Sequence, residues 1–343
     1  MRIGLIGAGA IALRHLDVLG PRGDVVVAGI CDLDLARARE AAAPHGAEAY
    51  ERWQTMLDGA ALDALFVCTP PLAHAEPVVE ALARDLHVYV EKPLARSEED
   101  GLAIVGAWEA SPAVCAVGYQ WRSLDVLERV RTALAGSAPG MLVSRSFGPT
   151  EGGRDDHAGA EAGTRAAWFT DPALSGGILF ELGSHDIDLQ IAIAGPVRAV
   201  QAQAASGRLA LAGAPEGPLR DAVTLLLRFE SGALGAIHVA WTDAQVPPVY
   251  SLDVHSHEVA LELVLDPVFR LHGRAGGEVI EQTAAADPRV STVDRFIEAV
   301  RSGDRAVPCT PADALATLRT ALACEAAILS GETVPVGVTA LEA

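Results

Sequence analysis

The first twelve residues set the strongest constraint on the fold. An apolar run, Ile3–Ile6, passes directly into Gly7-Ala8-Gly9-Ala10-Ile11-Ala12, a GxGxxA turn, and a helical pattern follows over residues 11–20. A strand feeding such a turn and then a helix is the opening of a βαβ unit. Gly7 permits the tight turn, Gly9 lets backbone approach a pyrophosphate, and the small Ala12 allows the helix to pack closely on the strand. The unpaired N–H groups at Ala10 and Ile11, with the positive end of the helix dipole, favour an anion there. A second strand, Val25–Ile30, is followed by Asp32, 23 residues after Gly9. A carboxylate at that point accepts ribose hydroxyls and repels a 2′-phosphate, which favours NAD over NADP. Arg37 and Arg39, a turn or so later, weaken that preference without reversing it. The bland alternative is a glycine-rich turn that holds no ligand.

Further buried-strand runs at Ala64–Cys68, His87–Val90 and Val114–Val117 alternate with helical patterns near 34–43, 73–84 and 97–109. Such alternation predicts an α/β fold with a doubly wound parallel sheet, a Rossmann domain over residues 1–120. After about residue 120 the texture changes. A helical stretch at 123–135 leads to the apolar run Met141–Phe147, a polar glycine-rich loop over 148–165, and a helical pattern at 178–194. Strand-like segments follow at 197–204, 221–229, 233–240, 249–254 and 258–265, and two helices, about 291–301 and 311–329, close the chain. This predicts a second, α+β domain over 121–343 with a largely antiparallel sheet. The closing helices are expected to pack back on the first domain. A length of 343 residues suits two domains of roughly 150 residues each.

Charge narrows the partners. Lys and Arg total 26 against 45 Asp and Glu, a net charge of −19, which argues against nucleic acid and anionic membrane surfaces. No run reaches 18 uninterrupted apolar residues, so no membrane span is expected. The five cysteines (31, 68, 115, 309 and 324) form no CxxC pair; scattered and odd in number, they read as free thiols of a cytoplasmic protein. There is no Asn and a single Lys, Lys92, a bias that a GC-rich genome explains.

Three segments carry chemistry. Cys68-Thr69-Pro70-Pro71-Leu72-Ala73-His74 follows a strand, so Thr69, Pro70 and His74 belong to the carboxyl edge of the sheet, where ligands bind in this architecture; a proline-rich turn with His74 as a cap is the alternative. Strand His87–Val90 ends in Glu91-Lys92-Pro93 at the same edge. An ammonium there can share or give up a proton, as a guanidinium cannot, whereas the bland alternative is a surface Lys paired with Glu91. In the second domain Glu181, His185 and Asp188 are spaced i, i+4, i+7, so on a helix they share one face. Flanking carboxylates can fix the His185 tautomer and raise its basicity, as a general base requires; a satisfied core histidine is the alternative. One His on this face and no HxxxH argue against a metal.

Together the segments GAGAIA, CTPPLAH, EKPLA, VGYQWR (Val117–Arg122) and SGGILFELGSHDIDL resemble the glucose–fructose oxidoreductase / inositol dehydrogenase family (Gfo/Idh/MocA), in family order across most of residues 1–195. The resemblance implies a Rossmann domain followed by an open-faced sheet, with substrate between them over the nicotinamide, and association through that sheet into a homo-oligomer. It implies that Lys92 and His185 are catalytic, assisted by Glu181, where cyclitol dehydrogenases usually carry Asp. The cofactor contacts expected are Gly7, Gly9, Ala10, Ile11, Asp32, Thr69, Pro70, His74, Glu91 and Lys92. Candidate sugar contacts are Arg122, His157, Trp168 and Asp188. Tyr119 is the nearest match to the Tyr–Lys base of some relatives. The expected activity is an NAD(P)-dependent oxidoreductase acting on a sugar, cyclitol or related polyol. An enzyme that retains NAD for elimination, epimerisation or glycoside cleavage, and a non-catalytic nucleotide sensor, remain as alternatives.

Overall fold

A computed structural model describes residues 1–134, 139–149, 172–206, 220–242 and 245–337. The chain divides into two compact units, Met1–Gln120 with Arg289–Leu315, and Trp121–Pro288 with the chain from Ala316.

The first unit is a six-stranded parallel sheet in the order β3-β2-β1-β4-β5-β6. Its strands are β1 (Arg2–Ile6), β2 (Val26–Cys31), β3 (Glu48–Tyr50), β4 (Ala64–Val67), β5 (His87–Val90) and β6 (Cys115–Val117). Between them run α1 (Ala10–Leu19), α2 (Leu35–Ala42), α3 (Trp53–Gly59), α4 (Ala75–Ala83) and α5 (Glu98–Ala110). The central strands are buried on both faces, Ile3, Leu5 and all of Ala64–Val67 completely. That is why they read as unbroken apolar runs rather than as an alternation. Asp34 caps α2 by accepting from Ala36 N and Arg37 N, and Ser97 caps α5 through Asp100 N. These bonds satisfy N–H groups that the helix cannot pair internally.

The second unit is a nine-stranded mixed sheet in the order β14-β13-β12-β11-β7-β10-β9-β8-β15. It comprises β7 (Met141–Pro149), β8 (Val197–Ser206), β9 (Arg220–Phe229), β10 (Leu234–Thr242), β11 (Val249–His255), β12 (Val259–Val264), β13 (Arg270–Ala275), β14 (Glu278–Thr283) and β15 (Val334–Pro335). Only the β7–β10 pair is parallel; the other pairs are antiparallel. β7 and β10 alternate strictly, Leu142, Ser144 and Ser146 buried on one face while Met141 and Leu234 are exposed on the other. One face is therefore packed and one open, the pattern an antiparallel-type sheet tolerates. Helices α6 (Val126–Leu134) and α7 (Ser184–Ala194) also belong to this unit.

Two expectations are corrected. The helix expected over 178–194 is not one α-helix: Leu179–Gly183 is a π-turn, and α7 begins only at Ser184. An inserted π-turn widens the winding locally, so the i, i+4 spacing of Glu181 and His185 is not that of a single regular helix. The closing helices also part company. α8 (Pro288–Ser302) sends Val293, Phe296 and Ile297 into the core of the first unit, whereas α9 (Pro311–Ser330) belongs to the second unit from Ala316 onward. Phe296 meets the stacked pair Phe66–Tyr89 edge-on at 5.6 and 5.8 Å, arrangements that aromatic quadrupoles favour.

Candidate active site

In the first unit the carboxyl ends of four parallel strands converge. After β1, Gly7 adopts φ +93°, and a Cβ on it would lie 2.7 Å from the Cys68 carbonyl oxygen, so only glycine fits. At Gly9 a Cβ would meet nothing within 4 Å, which leaves the backbone open to an approaching group. Gly9 is the N-cap of α1 and no side chain caps the helix, so its first N–H groups are available to an anion. After β2, Asp32 accepts from Ala8 N at 2.8 Å through Oδ2 and from Asp34 N at 2.9 Å through Oδ1. Its carboxylate is thereby fixed beside the glycine turn, with Arg37 3.7 Å from Oδ1. An uncapped helix start, an open glycine and an oriented carboxylate fit a dinucleotide with free ribose hydroxyls.

The next two strand ends carry the other expected residues. Thr69 and Pro70 are half-buried in the turn after β4. His74 takes a different position from the cofactor contact expected of it. It is completely buried, its Nε2 2.9 Å from the Thr69 carbonyl and its Nδ1 3.1 Å from that of Pro93. Burial pushes its pKa down, against the carbonyls of Thr69 and Leu94 and the charge of Glu91, which favour the proton. Glu91 also lies inside, 8% exposed: Oε1 accepts from His15 Nε2 at 2.8 Å and Oε2 from the Lys92 backbone N–H at 3.1 Å. Burial opposes its charge, but the hydrogen bond and charge of His15, with the charge of Lys92, hold its carboxyl below the usual range. Lys92 itself is half-buried and precedes a cis peptide to Pro93.

In the second unit, His185 opens the first turn of α7, half-buried, with Glu181 half-buried in the π-turn before it. The Trp121 ring packs against His185, centroids 4.9 Å apart and planes tilted by 43°. Arg122 and Asp188, expected as sugar contacts, face each other instead. Arg122 Nε donates to Asp188 Oδ2 at 2.8 Å, and Thr317 Oγ1 donates to Oδ1 at 2.9 Å. Asp186, next to His185, is fully buried; burial pushes its carboxyl up to about 7, opposed by the hydroxyls of Ser146 and Ser144. His157 and Trp168 lie outside the described residues. Among the described residues no group of His, Cys, Asp and Glu is arranged to hold a metal ion.

Trp121, His15 and Thr317 were not anticipated as partners of His185, Glu91 and Asp188. Trp121 lay in a quoted motif, VGYQWR, but only tertiary packing reveals which histidine it meets.

Residues 1–119 match the model of the oxidoreductase family with an NAD-binding Rossmann fold (GFO_IDH_MocA), and residues 149–277 match the GFO/IDH/MocA C-terminal domain. Myo-inositol 2-dehydrogenase of Thermotoga maritima is 28% identical over 245 residues, 69% of this chain and 67% of that protein. Glucose-6-phosphate 3-dehydrogenase of Bacillus subtilis is 27% identical over 193 residues, 55% of this chain; the match spans about half of that protein, 52%. Among solved structures, the WlbA dehydrogenase of Bordetella pertussis, in complex with NADH and UDP-GlcNAcA, has a TM-score of 0.80 over 99% of both chains at 24% identity. Levoglucosan dehydrogenase, in complex with NADH and L-sorbose, has a TM-score of 0.82 over 98% of both chains at 18% identity. The two structural likenesses are of fold, and the two family models cover well over half of the sequence. The chain is a member of the GFO/IDH/MocA oxidoreductase family, built on an NAD-binding Rossmann domain.

Proposed function

We propose that this protein is an NAD-dependent dehydrogenase that moves a hydride between the carbinol carbon of a sugar, cyclitol or related polyol and nicotinamide. Lys92, the only lysine of the chain, carries the assignment. It stands at the carboxyl end of β5, on the sheet edge that bears the Gly7–Gly9 turn and Asp32, and its backbone amide is tied to a buried carboxylate. The bound cofactor supplies the hydride acceptor. The chain's own residues do the proton work: His185 takes the hydroxyl proton, Glu181 assists it, and Lys92 hydrogen-bonds the same oxygen and stabilises the developing alkoxide. Backbone at Gly7, Gly9, Ala10 and Ile11 holds the pyrophosphate, Thr69 and Pro70 border the cofactor, and Asp32 takes the ribose hydroxyls and disfavours NADP.

The polyol class draws support from the inositol and glucose-6-phosphate dehydrogenases among the relatives, and from the sugar ligands named with the structural neighbours. The open face of the second sheet, with Leu226, Leu234, Met141 and Val249 all exposed, suits a second copy of the chain, in line with a homo-oligomer. Five free, buried cysteines accord with the cytoplasm, and among the described residues no helix is long and apolar enough to cross a membrane.

The test is direct. Purified protein is supplied with NAD and a panel of cyclitols, aldoses and aminosugars, while nicotinamide absorbance and sugar products are followed. Reduced cofactor formed in step with one oxidised carbinol is the expected outcome. Sugar conversion with no net reduction would replace this function by internally recycled redox.

A further inference from the structure

Two buried histidines flank the segment that carries Lys92, and the proton chemistry proposed above uses neither. On the upstream side stands His15, on the face of α1 that packs against the sheet. Its Nε2–H donates to Glu91 Oε1 at 2.8 Å, and Glu91 Oε2 accepts the Lys92 N–H at 3.1 Å. The carboxylate is thus gripped at both oxygens. It is also wedged from a third side, because a Cβ on Gly118 would come within 3.0 Å of either oxygen. Phe66 and Tyr89 hold the His15 ring edge-on at 5.3 and 5.1 Å. Without His15, the buried carboxylate loses the hydrogen bond that orients it.

On the downstream side His74 bridges two turns. Its Nε2 lies 2.9 Å from the Thr69 carbonyl, in the turn after β4, and its Nδ1 lies 3.1 and 3.3 Å from the Pro93 and Leu94 carbonyls, in the turn after β5. Carbonyls only accept, and a ring kept neutral by burial carries one N–H, so it donates to the carbonyl of one turn while it packs against the other. The charged group that acts on this ring is Glu91, the same carboxylate that His15 holds.

We infer that His15 and His74 are positioning residues for Lys92. They fix the backbone on either side of it and tie that backbone to α1 and the Thr69–Pro70 turn, the two elements assigned to the dinucleotide. Neither touches reacting atoms, being 7% and 0% exposed. The inference rests on the assignment of Lys92 to the carbinol oxygen.

Because Lys92 is the only lysine, protein labelled with ¹⁵N at lysine alone gives a single backbone amide signal. That amide is the donor to Glu91. In folded His15→Leu and His74→Leu proteins, checked by cooperative melting, the signal is expected to move. With the best carbinol of the panel, kcat is expected to fall about a hundredfold, with KM for NAD within about twofold of the parent. His15→Gln, which keeps an N–H for Glu91, is expected to recover both readouts. Should a leucine variant not fold, Glu91→Gln probes the same contact from its other end and is expected to move the same signal. An unmoved signal with parental kcat overturns the inference. The companion variant Lys92→Met separates the two levels. If it turns over like the parent, the assignment of Lys92 falls and this inference with it; if it is impaired while the histidine variants are not, only the inference falls.

Discussion

Arg122 Nε and Asp188 Oδ2 meet at 2.8 Å with both side chains more than nine-tenths buried, and Thr317 Oγ1 donates to the carboxylate's other oxygen. Two charges taken out of water are tolerated only when paired and hydrogen-bonded. Asp188→Ala takes this carboxylate away from a buried guanidinium and is expected to cost about 3–5 kcal/mol, read as a lower urea midpoint at unchanged slope. Arg122→Met combined with Asp188→Leu removes both charges and is expected to recover most of that loss. Equal midpoints for Asp188→Ala and the parent would show that the pair does not hold the second unit together.

Asp186 makes the stability of that unit depend on pH. Burial lifts its carboxyl from the ordinary 3.8 to about 7, so between those values the folded state keeps a proton that the unfolded chain has lost. The folded state binds more protons there, so this contribution to stability is full below about pH 4, falls as pH rises through the window, and levels off above about 7. Asp186→Asn removes the titration. Its gain over the parent is expected to be absent near pH 4 and to grow toward about pH 8, as followed by urea midpoints across pH. Parallel curves would contradict it.

Under the proposed function, cofactor choice rests on Asp32. Its oxygens accept from Ala8 N and Asp34 N, and Arg37 stands 3.7 Å away. Asp32→Ser removes a charged acceptor, so NAD is expected to bind about tenfold or more weakly. With the repelling carboxylate gone and Arg37 in place, NADP is expected to gain, and Arg37→Ala in the same background to cancel that gain. Titrations of both cofactors by protein fluorescence give the ratio. An unchanged preference for NAD would remove Asp32 from the account.

The Trp121 ring against His185 holds the imidazole from one side. Trp121→Leu is expected to lower kcat about tenfold or more by letting the ring leave its productive orientation, with NAD affinity unchanged; Trp121→Phe is expected to keep most of the activity. A kcat for Trp121→Leu equal to the parent's would show that His185 is oriented from elsewhere.

How much of this was legible in the sequence follows the physics of each element. The Rossmann half was plain because buried parallel strands are continuous apolar runs and Gly7 stands where no side chain fits. β3 escaped because three residues carry no period, and β13 and β14 because their strands, Arg270–Ala275 and Glu278–Thr283, are too polar to mark a core face. Gly276-Gly277, both at positive φ between the paired Ala275 and Glu278, was the signal for that hairpin. At the site, sequence spacing put Asp188 beside His185, but helical periodicity cannot say which long-range partner claims a carboxylate. Arg122 and Thr317, 66 and 129 residues away, did. His74 was sought at the cofactor because its turn lies on the ligand edge; the ring turns inward because three backbone carbonyls await it there.

The measurement closest to the centre of the account is single-turnover hydride transfer at saturating NAD, in the parent and in Lys92→Met. The account predicts a rate lower by roughly 10²–10⁴ in a folded protein that binds NAD as the parent does. An undiminished rate in Lys92→Met would contradict it.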